Sequence, residues 1–381
     1  MNIVLVGIGG YGQNYVKAFM ESDNKEHRIA GIVDPKPENC IYVNWLKDMN
    51  IPMYRTLEEF YAHSTADLAV IASPIHYHKI QACLALSKGS HVLCEKPISA
   101  TVSEAQEMIE ARNKSNRQLA IGYQWSYSEA IHKLKQDIMS GAFGKAKRLK
   151  TVVLWSRDLQ YFGRAAWAGK KYDNNGNAIF DSVVNNATAH YLHNMFYVLG
   201  DTMDTSDQPV EVTSELYRAN SIENFDTAAI RAITKKGAEI LFYASHPVEE
   251  SYGPVFEYEF EKGRILYGNN ANTRSIVAEF QDGTIKDYGD PNEDPTRKLW
   301  VVIEALKKNE ALACGPEAAL SHTMCIDAIQ KANILNFPAE LIKVREGDNN
   351  SKLIYVEGLK HDLKECYSKN KLPGEAGFRF N

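Results

Sequence analysis

The chain has 381 residues, 44% of them hydrophobic and 24% charged, with a formal net charge of −5. That length exceeds one ordinary core, so two domains are expected, and the balance of charge excludes a general electrostatic affinity for nucleic acid or anionic membrane. The cysteines (Cys40, Cys83, Cys94, Cys314, Cys325, Cys366) form no C-x-x-C pair and no Cys/His framework, so neither a metal site nor a disulfide scaffold is expected and the reading places the protein in the cytoplasm.

Short Val- and Ile-rich runs at 2–7, 28–34, 68–73, 91–96 and 119–124 alternate with stretches of helical length. This rhythm predicts an α/β, doubly wound Rossmann domain with a parallel sheet buried on both faces. After Gln124 it changes. A helix near 128–140 and a turn at 141–144 precede longer alternating strands at 147–155, 211–219, 228–234, 238–245 and 256–268, followed by helices near 295–308 and 316–334. The reading is an N-terminal cofactor domain over 1–125, then an α+β domain over 126–381 with a large, mainly antiparallel open sheet for substrate binding and oligomerisation.

Gly7, Ile8, Gly9, Gly10, Tyr11 and Gly12 fit G-x-G-x-x-G between a strand and a helix, and the second strand ends at Asp34. In that context the motif predicts a dinucleotide site: Gly7 for the turn, Gly9 for close approach to the pyrophosphate, Gly12 for helix–strand packing. The Asp34 carboxylate suits the two ribose hydroxyls and repels a 2′-phosphate, which favours NAD; Lys36 keeps NADP as the alternative. Cys94-Glu95-Lys96-Pro97 closes the run at 91–96, at the carboxyl edge where doubly wound sheets bind ligands. An amine there, beside a nicotinamide, suits proton exchange with a substrate hydroxyl.

At this point the chain resembles the Gfo/Idh/MocA oxidoreductases, which include glucose–fructose oxidoreductase and inositol dehydrogenase. The resemblance runs through the glycine turn, Ser73-Pro74-Ile75-His76-Tyr77-His78, the segment Ala85 to Pro97, Ser140 to Lys145, and Asn186-Ala187-Thr188-Ala189-His190 through Gly200. It implies NAD(P), a catalytic Lys96, cofactor contacts from Ser73, Pro74, His78 and Glu95, and a sheet used for a homodimer or homotetramer. The family commonly carries Asp-x-Gly-x-His-x-x-Asp where this chain has Asn186, Thr188, His190 and His193. His190 matches the family histidine. An amide at 186 cannot act as a base, so proton transfer is expected to run through Lys96 and His190.

In 181–200, Val184, Ala187, Tyr191, Met195 and Val198 form an apolar helical face, with Asn186, His190, His193 or Asn194, and Tyr197 on the neighbouring one. Further substrate contacts are expected from Tyr123 and Gln124 at a strand end, from Arg157 and Trp167 in an aromatic and basic loop, and from His246. The expected activity is hydride transfer between NAD(P) and a secondary hydroxyl of a sugar, glycoside or cyclic polyol. Two alternatives stand beside it: glycoside cleavage or epimerisation through transient oxidation by tightly bound NAD, and a non-enzymatic NAD-responsive sensor.

Overall fold

The computed structural model describes residues 1–24, 26–268, 274–292, 294–346, 351–378 and 380. They divide into two compact units, Met1–Tyr127 with Glu293–Thr323, and Ser128–Asn292 with Met324–Asn381. No helix among the described residues is long and apolar enough to cross a membrane.

The first unit alternates β1 (Asn2–Val6), α1 (Gln13–Met20), β2 (Arg28–Val33), α2 (Val43–Asp48), β3 (Met53–Tyr54), α3 (Leu57–His63), β4 (Leu68–Ile71), α4 (Ile75–Ser87), β5 (His91–Cys94), α5 (Val102–Ser115) and β6 (Leu119–Ile121). All pairings are parallel, in the order β3-β2-β1-β4-β5-β6. The apolar runs produce this because Ile3, Val4, Leu5, Leu68, Ala69, Val70, Val92 and Leu93 are all at most 1% exposed, as strands covered on both faces must be. Local signals set the helix ends: Thr56 and Glu59 form a capping box on α3, and Thr101 caps α5, which stops at Asn116 in the left-handed region. Strand order reverses between β1 and β4, so the turns that follow these two strands flank the crevice typical of such sheets.

In the second unit α6 (Glu129–Met139) precedes β7 (Ala146–Leu154), α7 (Leu159–Gly163), α8 (Ala189–Tyr197), β8 (Pro209–Arg218), β9 (Thr227–Thr234), β10 (Glu239–Ser245), β11 (Tyr252–Phe260), β12 (Gly263–Tyr267), β13 (Ile276–Phe280) and β14 (Ile285–Gly289). The chain then gives α9 (Arg297–Lys308), in the Glu293–Thr323 segment of the first unit, and α10 (Pro316–Ile329), before the second unit continues with β15 (Ile334–Asn336), the hairpin β16 (Ile342–Glu346) and β17 (Lys352–Val356), α11 (Leu359–Lys369) and α12 (Pro373–Ala376). Nine strands join as β14-β13-β12-β11-β7-β10-β9-β8-β15, antiparallel except for β7 with β10 and β8 with β15. The run read as one strand over 256–268 is a hairpin, because Glu261 and Lys262 turn the chain between β11 and β12.

Alternation gives the sheet two characters. On one face Val152, Leu154, Ala229, Leu241, Tyr243 and Val255 pack under Leu359, Leu363, Cys366, Leu372 and Phe380 of the C-terminal segment. Further along, the same face carries Arg148, Lys150, Arg231 and Arg264 paired with Glu239, Glu257, Glu279 and Glu375. The apolar end of this face is thus covered by the chain itself.

Candidate functional site

In the first unit, the turn after β1 is shaped for close approach. Gly7 has φ +79°, and a methyl there would lie 2.7 Å from the Ser73 nitrogen. A methyl on Gly12 would fall 2.0 Å from the Gly7 carbonyl oxygen, while at Gly10 nothing stands within 4 Å. The amides of Ile8 and Gly9 donate to Asp34 Oδ2 (2.8 and 3.1 Å), and the Lys36 amide donates to Asp34 Oδ1 (2.8 Å). Asp34 therefore braces the turn as well as standing at the end of β2.

The next amides, of Gly10, Tyr11 and Gly12, make no hydrogen bond among the described residues, and α1 has no side-chain cap. Orphan donors at an open helix start, with room above Gly10, fit a pyrophosphate, so the residues present suit a dinucleotide. Ser73 and Pro74 border the neighbouring turn, where Ser73 Oγ donates to Gln81 Oε1 (2.5 Å). His78 is only 1% exposed and joins this turn to the one after β5, with Nδ1 2.8 Å from the Pro97 carbonyl and Nε2 2.9 Å from the Ser73 carbonyl. Burial lowers its pKa against the pull of the two carbonyls. It is an internal strut between the turns after β4 and β5.

Lys96 follows β5 and is half-buried, with a cis bond to Pro97. Glu95 turns inward instead. Its Oε1 lies 2.6 Å from Lys298 Nζ and accepts the Tyr15 hydroxyl, and its Oε2 lies 3.3 Å from the Lys96 amide nitrogen. The Lys298 side chain, 1% exposed, also donates to the Gly122 carbonyl (3.0 Å) and sits 4.6 Å from the centre of the Tyr11 ring. Burial alone would depress the Lys298 pKa; the charge and hydrogen bonds of Glu95 and Tyr11 together outweigh it, leaving it raised. Lys298 was not anticipated from sequence, where it is one lysine among many on an amphipathic helix. The other correction in this unit is Tyr123. Its ring is fully buried, because the chain after β6 enters a tight turn (Gln124–Tyr127) whose aromatic rings point into the core, and the Tyr127 hydroxyl there bonds the Ile121 carbonyl. Tyr123 packs edge-on to His322, and only Gln124 remains half-buried.

In the second unit, the polar stripe at 181–200 is not one regular helix. A wide turn over Val183–Ala187 ends at Thr188, whose hydroxyl donates to the Val183 carbonyl (2.7 Å), and α8 begins at Ala189. His193, Asn194 and Tyr197 are fully buried, Asn194 bonding the Tyr258 hydroxyl (3.2 Å) and His193 stacking on Tyr197. Asn186 and His190 are half-buried. Asn186 Nδ2 donates to Asp181 Oδ1 (2.8 Å), and Asp181 Oδ2 accepts from the Gly169 amide (2.6 Å) and Arg164 (3.3 Å). Asp181 thus orients the amide that replaces the family's acid; its place five residues before Asn186 was the available signal. Arg164 also lies over Tyr161 (3.9 Å) and Trp167 (4.7 Å), which gathers the aromatic and basic loop around Asp181. His246 is 2% exposed, with Nδ1 2.8 Å from the Trp155 carbonyl oxygen, and Arg157 lies over the Trp155 and Tyr161 rings.

Residues 1–123 match the model of the oxidoreductase family with an NAD-binding Rossmann fold, Gfo/Idh/MocA. Over those residues the chain is similar to the Gfo/Idh/MocA oxidoreductases. The rhizopine catabolism protein MocA of Rhizobium meliloti is 30% identical over 140 residues, covering 37% of this chain and 43% of that protein. A scyllo-inositol 2-dehydrogenase (NADP(+)) of Bacillus subtilis is 24% identical over 75% of this chain and 84% of its own length. Several curated relatives align over less than half their length, 36% to 43% for MocA and two others. In fold, the WlbA dehydrogenase from Bordetella pertussis, solved with NADH and UDP-GlcNAcA, superposes with a TM-score of 0.69 at 20% identity, covering 87% of this chain and 95% of that one.

Gly12→Ala is expected to displace the turn and weaken NAD binding by about tenfold or more, since the added carbon has no room against the Gly7 carbonyl. Fluorescence titration with NADH checks this; unchanged affinity would show that the turn does not carry the pyrophosphate.

Proposed function

We propose that this protein is an NAD-dependent dehydrogenase of a secondary hydroxyl on a sugar, glycoside or cyclic polyol. The observation that carries the reading is the half-buried Lys96, held after β5 at the carboxyl edge of the sheet whose β1 turn offers the open amides of Gly10, Tyr11 and Gly12. Those amides hold the pyrophosphate, Ser73 and Pro74 line the neighbouring turn, and Asp34 takes the ribose hydroxyls, which favours NAD over NADP. When bound, the nicotinamide supplies a hydride acceptor. Lys96 accepts the proton of the substrate hydroxyl, and Glu95 and Pro97 fix its backbone.

To the second unit we assign substrate recognition and the second proton-handling residue, His190, with Asn186 aligned by Asp181 to hydrogen-bond a ring hydroxyl. An assembly through the large sheet would use its ion-paired strands, since the apolar end lies under the C-terminal segment. A cytoplasmic location is supported by the six cysteines, all unbridged.

The test is incubation of the full chain with NAD and a panel of sugars, polyols and glycosides, following NADH absorbance and products by mass spectrometry. NADH formed together with a product two hydrogens lighter is the expected result. Release of aglycone without added cofactor would move the reading to redox-neutral cleavage. Failure of the whole panel to form product or alter bound-NADH fluorescence would overturn it in favour of a sensor.

A further inference from the structure

We propose that the second unit recognises an acidic sugar, with Arg157 binding its carboxylate and His246 accepting a hydrogen bond from the adjacent hydroxyl. This deepens, and rests on, the sugar-dehydrogenase reading.

His246 follows β10, and its Nδ1 is 2.8 Å from the Trp155 carbonyl oxygen. A carbonyl only accepts, so Nδ1 carries the proton and Nε2 presents a lone pair. Burial, with the charges of Arg157 and Arg164, holds the imidazole neutral by pushing its pKa down to about 3, against the smaller upward pull of the Trp155 carbonyl. Nε2 is enclosed and finds no donor among the described residues. A buried acceptor in this state asks for a hydroxyl.

The neighbouring charge is unbalanced. Arg157 and Arg164 both lie over the Tyr161 ring, at 5.2 and 3.9 Å from its centre. Arg164 is matched by Asp181, at 3.3 Å. Arg157 has no carboxylate partner among the described residues, and its Nε is enclosed without an acceptor. Its guanidinium is held by the Trp155 and Tyr161 faces, so little freedom remains to be lost on binding. A hydroxyl alone would satisfy His246 and leave the cation unmatched. A carboxylate with a hydroxyl on the next carbon satisfies both, which defines the class as aldonates, open-chain sugar acids with a hydroxyl beside the carboxylate. The rings of Tyr161 and Phe162 stand edge-on to His246 at 5.2 and 6.1 Å and border the site.

Calorimetry on the full chain with NAD, titrated with D-gluconate, D-galactonate and D-glucose, tests the site. The acids are expected to bind about tenfold or more tightly than glucose, as a charge-assisted pair implies. Arg157→Gln should bring that ratio to within about twofold, Arg157→Lys should retain part of it, and His246→Phe should weaken the acids without abolishing their preference over glucose. Equal binding of acid and neutral sugar, no binding of either, or an Arg157→Gln protein that keeps the ratio would overturn the proposal. Acid binding without NADH formation on any sugar keeps this site and removes the dehydrogenase reading; NADH formation from neutral sugars with no preference for acids does the reverse.

Discussion

Lys96→Met is expected to lower turnover by about three orders of magnitude while NADH affinity stays within about twofold, the span typical of a lost general acid–base group. A methionine at that position keeps the apolar stem but cannot exchange a proton. The residues proposed to hold the dinucleotide are elsewhere, in the β1 turn and at Asp34. Lys96 therefore should act on the chemical step and leave cofactor binding alone, which separates it from Gly12. Steady-state kinetics on any substrate found in the panel, paired with NADH titration, checks both halves. Turnover within about tenfold of the wild type would remove Lys96 from the chemistry.

The second large effect concerns stability. Lys298→Met leaves the Glu95 carboxylate, 8% exposed, beside Tyr15 without its cation, and breaking such a buried pair costs about 3–5 kcal/mol. Urea unfolding should show that loss. The double variant Glu95→Gln with Lys298→Met should recover much of it, because no uncompensated charge then remains inside. If the single variant costs less than about 1 kcal/mol, the pair is not the strut that its geometry indicates. The loss matters for chemistry as well, since Glu95 Oε2 faces the Lys96 amide.

Much of the first unit was legible because its signals are local. Doubly buried strands read as unbroken apolar runs, and a glycine spacing constrains a turn within a few residues. The two-residue strand β3 is too short to leave such a run. Lys298 could not be seen, since its partner Glu95 lies far earlier in the chain and no local pattern separates a buried lysine from a solvated one. The same limit applies to Tyr123, for strand-end position gives no indication that the next turn points its rings inward. In the stripe at 181–200 the helical period put Asn186 and His190 on one face, and both are half-buried, but the wide turn before Thr188 breaks the strict spacing, and burial removed His193 and Tyr197 from any open face. Asp181 was passed over because it precedes the periodic segment, although it is the acid that aligns Asn186.

The C-terminal cover has a consequence for biogenesis. Leu359, Leu363, Cys366, Leu372 and Phe380 close over Val152, Leu154, Leu241 and Tyr243, yet they leave the ribosome after every strand they shield. Throughout synthesis of the sheet, its apolar end has no native covering, and stalled or prematurely terminated chains would carry that sticky face into the crowded cell.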